Sequence, residues 1–414
     1  MYFLNCKIDS IKAIQVLDSR GNPTVSVEVR CGEISATACA PSGASTGKYE
    51  AHELRDGLES YGGKSVTRAV NLINTEIKDM LTFKNVLEQR MIDKMLKDAD
   101  GTEDKSRFGA NGTLAVSLAV AKCAAKVSGL PYYRYIGGTG AHSLPRPMLN
   151  VLNGGRHADN GLDVQEFMII PKEDEFPMML ERSVAVYFAL RSLLKEKGLA
   201  VNVGDEGGFA PNLKSTEEAL DALCLAIDRA GFKSGEDFFI GLDVAASEFK
   251  KNDSDIYLME KSERSLNADE LSEYYKSLIN AYPIISIEDP FGEEDFPAWQ
   301  KFTAECGQIN IVGDDLFVTN TERIKKGTQL GAANTVLIKP NQIGTLTETL
   351  EAIETAKKAG YKIILSHRSG ETCDTSIADI AVAVNADMIK SGAPARSERT
   401  AKYNRLLRIY NDLK

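Results

Sequence analysis

The chain has 414 residues, of which 43% are hydrophobic and 26% charged, and it carries a net charge of −10. That length exceeds one ordinary core and fits two or three domains, or one large α/β barrel with an extra piece. The acidic balance excludes a general affinity for nucleic acid or for an anionic membrane, although bound metal ions would still admit an anionic substrate.

From Met1 to Asp9 there is no apolar run of the signal-peptide kind. No stretch approaches ~18 consecutive apolar residues, so a cytoplasmic chain without a membrane span is expected. The seven cysteines (Cys6, Cys31, Cys39, Cys123, Cys224, Cys306 and Cys373) are odd in number and scattered, with no C-x-x-C. This argues against a disulfide framework or a zinc site and for a reducing compartment.

Val25, Val27 and Val29 alternate with Ser26, Glu28 and Arg30, and after Gly32-Glu33 the alternation resumes at Ile34, Ala36 and Ala38. A hairpin with a tight turn is predicted. The small, polar stretch from Pro41 to Gly47 reads as a linker, or as a flap able to close over a site. Asn111 opens an Ala/Leu/Val run that stops near Gly129-Leu130-Pro131, a helix with start and stop signals. Gly137-Gly138-Thr139-Gly140 marks the boundary between an N-terminal α+β capping domain, 1–136, and a second domain, 137–414.

Beyond the boundary, short apolar runs alternate with helical patterns. Val203, Phe239 to Leu242, Ile284 to Ile287, Ile311 to Gly313, Val336 to Ile338 and Ile363 to Ser366 each end at or just before charged residues. Between them, Ser215 with Glu218 and Thr345 with Glu348 read as capping boxes, closed by Gly231 and Gly360. Repeated strand–helix units imply a largely parallel sheet, and about 280 residues of them favour a closed (β/α)8-type barrel of roughly eight strands. Sites in such barrels lie where the strands end. One charged strand end is an ordinary exit to solvent; six in order point to a site.

Asp243, Glu288 and Asp314 end three successive predicted strands. Converging there, they would repel one another unless a cation sat between them, and hard oxygen ligands suit Mg²⁺; otherwise they are three separate surface or capping carboxylates. Lys339 and Lys390 follow. A lysine at a buried strand end near a divalent metal should have a lowered pKa and act as a base, or else form a salt bridge to a metal-site carboxylate. Lys390, before Ser391-Gly392-Ala393-Pro394, also reads as a solvated loop lysine. Arg368-Ser369 offers a guanidinium fork and a hydroxyl for a phosphate. Gly154-Gly155-Arg156-His157 and Gly204-Asp205-Glu206-Gly207-Gly208 are glycine-flanked acid/base residues, or simply turns.

In chain order these stretches resemble the enolase family over nearly the whole length. The resemblance is carried by Asp18-Ser19-Arg20-Gly21-Asn22-Pro23-Thr24, Ser42-Gly43-Ala44-Ser45-Thr46-Gly47, Asn153-Gly154-Gly155-Arg156-His157-Ala158 and Gln165-Glu166-Phe167-Met168. It continues through Gly204 to Gly208, Ser286-Ile287-Glu288-Asp289-Pro290-Phe291, Gly313-Asp314-Asp315-Leu316 and Lys339-Pro340-Asn341-Gln342-Ile343-Gly344-Thr345. Ser366-His367-Arg368-Ser369-Gly370-Glu371-Thr372 and Lys390 to Arg396 complete it.

The resemblance implies the Mg²⁺-dependent, reversible dehydration of 2-phosphoglycerate to phosphoenolpyruvate, in glycolysis and gluconeogenesis. It implies Asp243, Glu288 and Asp314 as ligands of a first Mg²⁺, and Ser45 as a ligand of a second that arrives with substrate. Lys339 matches the base that takes the C2 proton. Glu206 matches the acid for the departing C3 hydroxyl, with Glu166 beside it. Arg368 and Ser369 match phosphate ligands, Gln165 and Lys390 substrate contacts, and His157 a residue of a second closing loop; His367 matches a site histidine. Lysine bases and Mg²⁺ on the ene-diolate are a known pattern of this superfamily. The acid is expected to be held protonated by neighbouring carboxylates.

Cys373 and Gly112-Thr113 depart from the family pattern, away from every one of these roles. A superfamily member acting on a non-phosphorylated acid would not need Arg368-Ser369 or the Ser45 loop. The resemblance also implies a homo-oligomer, a dimer or an octamer. It admits a second, surface or scaffold role toward host proteins or an RNA-processing assembly, for which Lys414 is the feature a lysine-binding site would take.

Overall fold

The computed structural model describes residues 6–43, 47–57, 59–250 and 255–414. Its N-terminal part is a three-stranded antiparallel sheet, β1 (Ser10–Leu17), β2 (Pro23–Cys31) and β3 (Ile34–Cys39), in that spatial order. The valine alternation works as read: Val25, Val27 and Val29 are fully buried. They face the helix Ala110–Val127, which packs across β2 and β3. Burying one such valine is worth about 1.5–3 kcal/mol. The helix is apolar almost all round because nearly every residue in it is buried.

Asn111 does not open that helix. Gly109, at φ 80°, is the residue before it, and Asn111 sits inside, buried, its amide exchanging hydrogen bonds with the Leu54 backbone at 3.1 and 3.2 Å. Among the described residues, no single helix is long and apolar enough to cross a membrane.

The rest of the chain builds a closed barrel of eight strands. These are β4 (Arg146–Asn153), β5 (Glu166–Pro171), β6 (Phe238–Asp243), β9 (Ile284–Glu288), β10 (Asn310–Gly313), β11 (Thr335–Ile338), β12 (Lys362–Ser366) and β13 (Met388–Lys390). They neighbour one another in that order, with β13 closing back on β4. A hairpin, β7 (Ile256–Met259) with β8 (Arg264–Asn267), lies outside the wall. Met148, Met168, Ile170, Val312, Leu337, Ile364 and Met388 fill the interior as one cluster. The barrel is therefore a packed core whose chemistry is confined to its mouth.

Two differences from the sequence reading matter for the site. Strand β5 runs antiparallel to both neighbours, whereas the other six pairings are parallel. And Val203 is no barrel strand: it makes only an isolated bridge to Phe209 and is 42% exposed, leaving Glu206 on a turn. The three strands not read from the sequence are β4, broken by Pro147 and Asn150, β5, whose rim residue precedes its apolar run, and β13, only three residues long.

The Ser215 and Thr345 caps form as read, each accepting from the backbone N–H three residues on. Neither glutamate closes the box on the backbone N–H of its cap: Glu218 accepts from the Lys214 N–H, and Glu348 accepts from the Thr345 hydroxyl at 2.7 Å and pairs with Lys105. Asn267 with Glu270 makes the full reciprocal box.

The N-terminal part meets the barrel through close backbone approach. Gly137 ends the helix Tyr132–Gly137 against the end of the helix Ser376–Ala383, and a Cβ there would land on the Ala383 carbonyl. Gly137→Ala is expected to destabilise the fold by about 1–3 kcal/mol, read as a lower melting temperature with activity at 25 °C retained. An unchanged melt would refute this.

Candidate active site

The strands deliver their charges to one cavity at the barrel mouth. Asp243 ends β6, Glu288 ends β9 and Lys390 ends β13, while Asp314, Lys339 and His367 follow β10, β11 and β12 directly. Because β5 is reversed, its first residue, Glu166, reaches the same rim, in register with Asp243 on one side and Asn153 on the other. His157, Gln165, Glu166, Glu206, Asp243, Asp314, Lys339, His367, Arg368, Ser369 and Lys390 all line this cavity. Glu288 lies beneath it, fully buried under Lys390. Ser45 falls outside the described residues.

Lys390 is no solvated loop lysine. It is 2% exposed, and its Nζ sits 2.9 Å from Asp243 Oδ2, 2.9 Å from both Glu288 oxygens and 3.2 Å from Glu166 Oε2. Burial opposes its charge, but Asp243, Glu166 and Glu288 together hold the ammonium well above its ordinary pKa. The carboxylates remain undercompensated: burial and the Asp243 charge push Glu288 well up.

Lys339 rests on Asp314, whose second oxygen accepts from Gln342 Nε2 at 2.9 Å. The lowered lysine pKa expected from the sequence is not found. Burial pulls it down, but the adjacent Asp314 carboxylate more than offsets this and the pKa is raised. An Asp314 engaged with a cation would lose that hold.

Two further groups bring ligand atoms within 4.8 Å of one another: Asp289, Asp314 and Asp315, and His157, Glu166 and Glu206. The first is structural. Asp289, at φ 43°, spends both oxygens on the N–H groups of Asp314 and Asp315, at 3.0 and 2.9 Å, and thereby sets the direction of Asp314. Asp315 is pushed up to about 8 by burial and by Asp314.

The second group has the acid–base chemistry. Gly207, at φ 85°, makes the turn that aims Glu206 inward, and its Cα sits against the Ala395 carbonyl where a Cβ would clash. Glu206 Oε2 accepts from Asn150 Nδ2 at 2.9 Å and lies 3.4 Å from His367 Nε2. His157 Nδ1 stands 3.6 Å from Glu166 Oε1. Burial and the Glu206 charge push Glu166 well above the carboxylate range. Burial also acts on Glu206, but His367, His157 and Arg399 outweigh it and bring Glu206 well below that range. The expectation that neighbouring carboxylates hold Glu206 protonated is thus reversed in the substrate-free site: the proton of the pair belongs to Glu166.

Arg368 is buried and forks onto Glu50, Nη1 to Oε2 at 2.8 Å and Nη2 to Oε1 at 3.2 Å. Glu50 comes from the N-terminal part and was not foreseen; nor were Asn150, Asp289 and Gln342. Asp289 and Gln342 had a signal, lying inside stretches that carry the family resemblance, and Glu50 follows the Ser42–Gly47 stretch by three residues, whereas Asn150 had none. At the hairpin, Lys261 Nζ donates to the Gly155 and Ala158 carbonyls at 3.0 and 3.2 Å, and Asp163 accepts from the Lys261 and Ser262 N–H groups. This pins the segment carrying His157. Lys414 pairs with Glu175 at 3.4 Å and lies over the Tyr410 ring.

The donor set fits Mg²⁺. Asp243, Glu288 and Asp314 offer hard anionic oxygens on neighbouring strands, and two ammonium groups do not neutralise them.

Residues 8–136 match the family "Enolase, N-terminal domain" and residues 141–414 the family "Enolase, C-terminal TIM barrel domain". The chain is similar to an enolase of Mycobacteroides abscessus, with 53% identity over 409 residues, 98% of this chain and 94% of that protein. With two domain families spanning the barrel and the N-terminal sheet, and this likeness over nearly the whole length, the chain belongs to the enolase family.

Proposed function

We propose a division of labour among these residues for the reaction of this family, a hydro-lyase step of glycolysis that converts 2-phosphoglycerate to phosphoenolpyruvate. The observation that carries it is the grouping in one cavity: a lysine on one set of partners, a carboxyl pair on another, and three buried carboxylates between them.

Lys339 Nζ takes the proton from C2. Glu206 receives the proton that Glu166 holds in the substrate-free site and gives it to the C3 hydroxyl as the C3–O bond breaks, so that water and phosphoenolpyruvate leave. Glu166, the protonated member of the pair, stands beside Glu206 with His157 next to it. Arg368 and Ser369 hold the phosphate, and Gln165 and Lys390 orient the substrate. Asp243, Glu288 and Asp314 hold Mg²⁺, with Ser45 as ligand of a second ion during turnover. Mg²⁺, when bound, supplies the positive charge that makes a proton beside a carboxylate acidic enough to remove. We place the chain in the cytoplasm as a homo-oligomer, dimer or octamer, each chain built of two units, 1–136 and 137–414; light scattering in solution distinguishes dimer from octamer.

The test is the ultraviolet absorbance of phosphoenolpyruvate formed from 2-phosphoglycerate. Chelation by EDTA is expected to lower the rate at least about 100-fold, and added Mg²⁺ to restore it. A rate indifferent to chelation, or no product with Mg²⁺ present, would overturn the proposal.

A further inference from the structure

The helix Ser397–Leu413 carries a charge that solvent never meets: Arg399 is 0% exposed. Its Nη1 lies 2.6 Å from His367 Nδ1 and 2.6 Å from the Arg368 carbonyl. Its Nη2 donates to the Ser369 carbonyl at 2.6 Å and to the Asp205 carbonyl at 3.1 Å. Three carbonyls thus clamp the guanidinium plane, and it cannot turn away from the ring.

A guanidinium only donates and does not lose its proton in proteins. The Nδ1 it faces must therefore accept, and a neutral imidazole with an accepting Nδ1 carries its hydrogen on Nε2. That Nε2 is the atom 3.4 Å from Glu206 Oε2. We propose that Arg399 is a positioning residue which fixes His367 as the Nε2–H tautomer, so that the ring donates toward Glu206.

The consequence lies in the acid step and rests on the reading of Glu206 as the acid. An N–H aimed at a carboxyl favours its ionised form over its protonated one. When Glu206 has given its proton to the departing hydroxyl, the carboxylate left behind faces Nε2–H. Imidazolium is the wrong state for this, since it would set a second N–H against the guanidinium. The charged groups facing the ring are Glu206, Arg399 and Glu371. Burial, with Arg399, brings the His367 pKa down to about 4 despite the two carboxylates. An orienting partner that selects a tautomer is a known device in other enzymes, where a carboxylate accepting from Nδ1–H selects the opposite tautomer.

The experiment is nitrogen-15 NMR of the Mg²⁺-loaded enzyme labelled at histidine. There are four histidines, and His367→Gln identifies the signal. Expected is a neutral ring with a bare Nδ1 and a protonated Nε2, unchanged between about pH 5 and 8. An Nδ1–H tautomer, or a ring that titrates in that range, overturns the proposal without reference to any variant. Arg399→Gln, whose amide can also accept, should mix the tautomers and lower kcat roughly 10- to 100-fold. Arg399→Lys, again donor-only, should restore the Nε2–H form and most of kcat. A glutamine variant that folds yet keeps both tautomer and kcat also overturns it; if it does not fold, the wild-type spectrum decides. Failure of the acid reading shows separately, as dehydration retained in Glu206→Gln with the His367 tautomer still as assigned.

Discussion

Lys339→Ala is expected to lower phosphoenolpyruvate formation by about 10³- to 10⁴-fold and to stop exchange of the C2 hydrogen with deuterated solvent. Both losses follow from one atom, because Nζ is the group assigned to that proton. The variant should remain folded. The Lys339 backbone N–H stays on Thr319 Oγ1 at 2.9 Å, and Asp314 keeps Gln342 as a partner when the ammonium is gone. A melting curve close to wild type, beside the lost exchange, separates chemistry from folding. Wild-type turnover in this variant would remove Lys339 from the mechanism.

Glu206→Gln should separate the two halves of the reaction. Elimination is expected to fall by about 10²- to 10⁴-fold, while C2 exchange persists. The geometry is the reason. Lys339 stands with Asp314 and Gln342, whereas Glu206 stands with Asn150 and His367, and the two sets share no hydrogen-bond partner. Glutamine keeps an acceptor for Asn150 and the volume, and removes the carboxyl group that can carry and give the proton. If exchange and elimination fell together, the two steps would be one, or Glu206 would not be the acid.

The legibility of the site tracks strand direction. Asp243, Glu288 and Asp314 announce themselves because a parallel strand spends its apolar residues in the wall and then meets the mouth. Glu166 breaks that rule. In the reversed β5 the rim residue precedes the apolar run Phe167 to Ile170, and only the family resemblance nominated it. Lys390 reads equally as site or solvent because β13 has three residues, too few to show a period. Glu206 reads as following a strand that does not exist, since a single valine before a glycine turn resembles a strand end. Ionisation was the least legible property. The sequence suggests a low lysine pKa and a protonated Glu206, and the structure reverses both, because pKa depends on the nearest partner rather than on residue type. Arg399 was invisible for a related reason. In Ser397-Glu398-Arg399-Thr400-Ala401-Lys402 it reads as one more charge on a polar helix face, and nothing local says that it is buried against a ring 32 positions away.

That helix bears on the order in which the enzyme comes into being. Synthesis runs from the N-terminus, and every barrel strand and every other residue of the cavity precedes Ser397. Until the helix Ser397–Leu413 docks, His367 lacks Arg399, and Glu371 lacks Lys402, 2.7 Å away in the finished fold. The same helix buries Tyr403, Leu406 and Ile409 in the main core, so the setting of the His367 ring and the completion of the fold are one event.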